Sequence, residues 1–310
     1  MKKQTFWTIL VGAFLGLNVL AWALYFVRPA EKAVKQKVSV ILCNSTDSRW
    51  VSFTAGLKEA ASSADVDLNI VATEGLTTAE SSAMAEKEIS SGAAGLIVEL
   101  CEDLSEEEIL ALYRNVMIEV VDSGEYRSVD SRLLGSIGID EAEAGTRLCS
   151  FIDRGSRVGI VCGGQQKKSI MAREDALQEA CRAAGNEVVW TMQDGDLDFF
   201  QQSAPADVIV ALSNEALEKA VDYKLYAQDD ALLVGYGCSR KNTYYLDRGL
   251  IETLLVPDEF LMGYQALLDL TERMSDPGAN PVSRQVGLFT VDQENMYTAD
   301  METLLFPIVR

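Results

Sequence analysis

The chain of 310 residues contains no histidine. This absence removes the Ser-His-Asp and Cys-His catalytic units, imidazole proton shuttles and His-ligated metals. Positive charge is also scarce, with 27 Lys and Arg against 47 Asp and Glu for a net −20. An acidic surface repels phosphate backbones and anionic lipid heads, so nucleic acid is not expected as a partner. The common nucleotide and acyl-transfer signatures are missing: there is no G-x-G-x-x-G after a strand, no G-x-x-x-x-G-K-[ST] and no G-x-S-x-G. Gly163-Gly164-Gln165-Gln166-Lys167-Lys168 comes nearest to a phosphate loop but lacks its spacing, and reads as a cleft loop. Six cysteines occur without any C-x-x-C pair. Cys43, Cys101, Cys162 and Cys238 fall at or just past expected strand ends and Cys149 and Cys181 on helices, where free cysteine is expected as a small buried apolar residue. Neither an enzyme nor a metal or cofactor site is expected.

What is present begins with an uncharged stretch. Phe6–Val27 spans 22 residues whose only polar side chains are Thr8 and Asn18, between Lys2-Lys3 and Arg28-Pro29. At about 1.5 Å per residue a helix of this length crosses a hydrocarbon core of roughly 30 Å. A cleaved leader would have an apolar region of about 7–15 residues. The small-x-small site Ala21-Trp22-Ala23 lies inside the run, so cutting there would leave Leu24–Val27 as an apolar terminus. An uncleaved single-pass anchor is therefore expected, with residues 1–36 as anchor and linker. The basic residues gather here, and Val38–Arg310 keeps 21 basic against 46 acidic residues.

The body alternates short apolar runs with amphipathic stretches. Strands are expected at Val38–Cys43, Leu68–Ala72, Gly95–Leu100, Val116–Val121 and Leu134–Ile139. A second set is expected at Val158–Cys162, Val188–Met192, Val208–Leu212, Leu232–Tyr236 and Ile251–Val256. Helices are expected at Trp50–Ala64, Thr78–Ser90, Ser105–Tyr113, Lys168–Ala184, Asn214–Ala227 and Phe260–Met274, the third opening on the cap and first-turn acids Ser105-Glu106-Glu107-Glu108. This order defines an α/β protein with two doubly wound parallel sheets. Ligands in such sheets bind beyond the carboxyl ends of strands, so two facing lobes make a cleft. Polar residues stand at those ends: Asn44–Trp50, Glu99–Asp103, Asp122-Ser123 and Asp140-Glu141 in the first set, Gly163–Lys168, Ser213-Asn214 and Gly237–Lys241 in the second. Carboxylates accept from hydroxyls, Arg donates, and an aromatic face stacks on a ring, which together suit a hydroxyl-bearing ligand.

Four segments carry a family resemblance: Val38–Ile41 through Trp50–Phe53 to Gly56–Ala60; Ile137-Gly138-Ile139-Asp140-Glu141-Ala142-Glu143-Ala144-Gly145; Ala172–Leu177; and Leu233–Tyr236 followed by Gly249–Thr253 and Met262–Ala266. In order and spacing they resemble the type I periplasmic sugar-binding proteins, the ribose- and galactose-binding group that serves ABC transporters. The resemblance implies lobe one at residues 37–140 plus 258–286 and lobe two at 141–257 plus 287–310, closing like a hinged trap on a small ligand, a sugar or derivative. Mapped residue by residue, it implies ligand contacts from Asp47, Arg49, Trp50 and Asp122 on lobe one and Arg173, Ser213, Asn214 and Tyr236 on lobe two. Gly237 and Pro257 stand where the family has an aspartate and a glutamine, and provide no side-chain partner. The implied partners are a small carbohydrate ligand and an ABC permease, or a sensor kinase if the tethered lobe reports ligand occupancy instead. Lys/Arg counting about the anchor, two before and four after, does not by itself favour an outside body. The family does, and the body is expected outside the cell membrane.

Overall fold

The computed structural model describes Asn18, Trp22 and residues 35–43, 50–124, 126, 130–163, 167–193, 203–276, 278 and 283–306. The chain divides into two compact units, Met1–Lys35 and Gln36–Arg310. Apart from Asn18 and Trp22, the apolar Phe6–Val27 run lies outside the described residues, and among those residues no helix is long and apolar enough to cross a membrane.

The second unit holds two six-stranded sheets. The first contains β1 (Lys37–Leu42), β2 (Asp67–Ala72), β3 (Ala93–Glu99), β4 (Met117–Val121), β5 (Leu133–Gly138) and β11 (Arg284–Gln285), in the order β11-β5-β4-β3-β1-β2. The second contains β6 (Arg157–Val161), β7 (Glu187–Met192), β8 (Val208–Ala211), β9 (Leu232–Tyr236), β10 (Thr253–Pro257) and β12 (Leu288–Val291), in the order β12-β10-β9-β8-β6-β7. All pairings are parallel except β10 with β12. Parallel strands covered on both faces are near-continuous apolar runs, as in LLVGY and TLLVP. Because β11 joins the first sheet and β12 the second, the chain crosses between lobes after β5, after β10 and after β11.

Helices cover both faces. In lobe one these are α1 (Trp50–Ala64), α2 (Thr78–Ser90), α3 (Glu106–Leu112) and, returning late in the chain, α8 (Glu259–Ser275). Lobe two has α4 (Glu141–Cys149), α5 (Lys168–Ala184), α6 (Asn214–Ala227), α7 (Arg240–Asp247) and α9 (Ala299–Leu305). The Ser105–Glu108 signal forms a reciprocal capping box on α3, and Thr77 with Glu80 forms the same device on α2. One buried cluster runs from Val38, Phe53 and Leu57 of lobe one to Val158, Leu177 and Tyr236 of lobe two.

The cysteines depart from expectation. Cys43, just past β1, and Cys101, just past β3, form a disulfide, with Cα atoms 5.4 Å apart. The two lie 58 residues apart in sequence, and only the adjacency of β1 and β3 brings them together. Cys149, Cys162, Cys181 and Cys238 are free, the first three buried.

Candidate functional site

The carboxyl ends of both sheets carry polar groups that meet where the lobes join. Asp122 follows β4 with φ +52, and its backbone N–H donates to Ile137 O on β5 at 2.9 Å. This left-handed turn, which aspartate adopts more readily than most residues other than glycine, ends the strand and places Asp122 at the sheet end. From lobe two, Arg173 on α5 is buried. Its Nε and Nη2 donate to Glu141 Oε2 at 2.8 and 2.6 Å, and Nη1 donates to Leu212 O. Its guanidinium carbon lies 3.5 Å from the centre of the Tyr236 ring, a close cation–π stack. Burial opposes the charge on Arg173, yet Glu141 above all, then Tyr236 and Asp122, hold its pKa above the ordinary value. Burial pushes the Tyr236 phenol well up; Arg173 pulls the other way, while Glu141, Asp122 and Glu259 add to the rise. Asp122 of lobe one thus acts electrostatically on two side chains of lobe two.

The other expected residues are placed as follows. Trp50 opens α1, is 4% exposed and packs edge-on against Phe53 with ring centroids 4.9 Å apart. Ser213 caps α6, its Oγ accepting from Ala216 N at 3.1 Å and donating to Cys162 O at 3.4 Å. Asn214 Oδ1 accepts from Asn242 Nδ2 at 3.1 Å. Ser213 and Asn214 therefore tie lobe-two loops together. Gly237 follows from Asn214: at φ +103, a Cβ there would come within 2.6 Å of Asn214 Oδ1. Pro257 ends β10, opposite Leu288 of β12. Asp47 and Arg49 lie outside the described residues.

A second set of polar groups, expected at the strand ends but not among the mapped ligand contacts, spans the lobes directly. Glu99 ends β3 and is 2% exposed. Its Oε2 accepts from Cys43 N at 2.8 Å, and its Oε1 accepts from Lys167 Nζ, at the foot of α5, at 3.2 Å. Asp103 Oδ2 accepts from the backbone N–H of Lys168 at 2.7 Å. The signal for these was available as charged residues just past the ends of β3 and β6.

Nucleophilic chemistry is disfavoured. Burial, reinforced by Glu174, raises the Cys162 thiol. Burial pushes Cys181 up to about 12, with Cys149 contributing, and Cys238 up to about 11 against a hydrogen bond with Thr243. Only thiolates attack readily. Among the described residues no group of three or more Cys, Asp or Glu could hold a metal ion.

Two covered lobes with polar groups at facing strand ends define a two-lobed solute-binding architecture. Residues 38–275 match the family described as a periplasmic binding protein domain, and the chain belongs to that family. No curated protein matches the sequence. Solved structures share the fold. A glucose-galactose binding protein from Geobacillus stearothermophilus is 16% identical, covers 86% of this chain and all of its own length, with a TM-score of 0.73. A carbohydrate transporter solute binding protein from Agrobacterium radiobacter, in complex with D-arabinose, is 16% identical and covers 88% of this chain and all of its own, with a TM-score of 0.75. The XylFII–LytSN complex contains a chain 16% identical that covers 84% of this one and 99% of its own, with a TM-score of 0.72.

Proposed function

We propose that this chain is an extracytoplasmic solute-binding protein of an ABC transporter, capturing a small sugar or sugar derivative between its two lobes. The observation that carries this reading is the set of polar groups at the carboxyl ends of the two sheets: Asp122 in the turn that follows β4 of lobe one, and Arg173 bonded to Glu141 and stacked on Tyr236 at the end of β9 in lobe two. A carboxylate at a strand end accepts from vicinal hydroxyls. Arg173, held by Glu141 and stacked on Tyr236, orients the lobe-two wall. Family membership supports the same reading, as do solved relatives described as sugar-binding and in complex with monosaccharides. These relatives favour transport over a tethered lobe that reports occupancy to a sensor kinase. In this reading Phe6–Val27 anchors the chain in the cell membrane with the body outside. The Cys43–Cys101 disulfide supports that compartment, since disulfides persist in oxidising environments.

Thermal-shift screening of the purified full chain against pentoses, hexoses, disaccharides, polyols and nucleosides tests the ligand class. At least one sugar should raise the melting temperature, and silence across the panel would remove the sugar assignment. Protease added to intact cells tests the topology: the body should be digested from outside, and protection until the membrane is permeabilised would reverse the orientation.

A further inference from the structure

We infer that Lys167, Glu99 and Asp103 form an inter-lobe latch that holds the lobes together without a ligand and so sets how readily the cleft opens. Its use in controlling ligand entry and release rests on the binding reading above, but the latch itself does not. Glu99 and Asp103 flank Cys101, whose disulfide to Cys43 pins this loop to the end of β1. Cys43 N–H also holds one Glu99 oxygen at 2.8 Å, so the lobe-one half of the latch is rigid. The lobe-two half is the start of α5. Lys167, the residue before the helix, reaches Glu99 at 3.2 Å, and the next backbone N–H donates to Asp103 at 2.7 Å. The ion-pair side chains are 15% and 2% exposed, so water and salt screen the contact little.

Both contacts are charge-assisted and both cross the cleft, so opening breaks them together. Opening also withdraws the ammonium from a carboxylate that solvent hardly reaches, which a surface ion pair would not suffer. The three residues are positioning residues. They act on the ligand through lobe closure, and both entry and exit require their separation.

Spin labels at Lys58→Cys on α1 and Glu179→Cys on α5, in the full chain with Cys238→Ser, report the inter-lobe distance with no ligand added. The expected result is a single short distance, with Lys167→Ala plus Asp103→Ala adding a longer population as the closed-to-open ratio falls about tenfold or more. Glu99→Gln, which keeps an oxygen for Cys43 N–H but loses the charge, should shift the distribution in the same direction, and it carries the test if the double variant does not fold. Identical distributions in wild type and variants, whether all short or all long, would overturn the latch. No sugar is used, so this result stands apart from the outcome of the ligand screen.

Discussion

Glu119 shows what a single residue does against the fold. It occupies the middle of β4, is fully buried, and neither carboxylate oxygen has a hydrogen-bond partner among the described residues. Burial, with Asp269 adding and Arg284 opposing, raises its pKa well above the usual carboxylate range. A raised folded-state pKa means the folded chain prefers the protonated form. Ionisation of Glu119 therefore costs nothing below the unfolded pKa of about 4.3, and it costs stability progressively as pH rises towards the folded value. Glu119→Leu is predicted to stabilise the chain, with an advantage that grows by up to about 1.4 kcal/mol per pH unit above that point. Denaturant melts at pH 5 and pH 8 check this, and an equal difference at both would contradict it. At this scale the sequence was informative about position and silent about partners. Asp122 and Arg173 were visible at a strand end and on a helix, but the Glu141 carboxylate and Leu212 carbonyl that hold Arg173 come from distant segments. Ser213 and Asn214 were visible too, but their partners within the fold, Ala216 N–H and the Asn242 amide, were not.

Among the elements, two helix pairs depend on glycine. Gly145 of α4 faces α5 so closely that a Cβ would lie 2.2 Å from Arg173 O, and Gly263 of α8 faces α1 with a Cβ 2.1 Å from Phe53 O. The obstacles are backbone atoms, which cannot rotate away. Alanine at either position is predicted to cost about 1–3 kcal/mol by forcing the helices apart. Gly124→Ala, with nothing within 4 Å of its Cβ, is the matched control and should be close to neutral. Chemical denaturation of the three variants separates them, and equal effects at all three would contradict the close-approach account. Most longer elements were legible because periodicity and caps agree, as at Ser105–Glu108. The short α4, α7 and α9, the four-residue β12 and the two-residue β11 were not, since so few residues carry too little periodicity to register.

For the whole molecule, the disulfide and the cleft are the features that sequence reached least. Cys43–Cys101 depends on which strands neighbour each other, a fact of sheet order rather than of spacing. Closing a loop of 58 residues in the unfolded chain predicts a loss of about 2–4 kcal/mol on reduction. Equilibrium unfolding with and without reductant measures it, and alkylating the unfolded, unreduced chain should modify Cys149, Cys162, Cys181 and Cys238 while sparing the bonded pair. Six alkylated thiols would contradict the bridge. The cleft was legible as a set of polar strand ends, but the pairing of those ends across the lobes required the fold. Its role is tested most directly by calorimetric titration of the full chain and of Asp122→Ala with the sugars that raise the melting temperature. A charge-assisted hydrogen bond is worth roughly 1.5–3 kcal/mol, so the account predicts binding to the wild-type chain that weakens about ten- to a hundredfold in the variant. Equal affinity in both would contradict it, because the ligand would then lie away from the junction of the lobes.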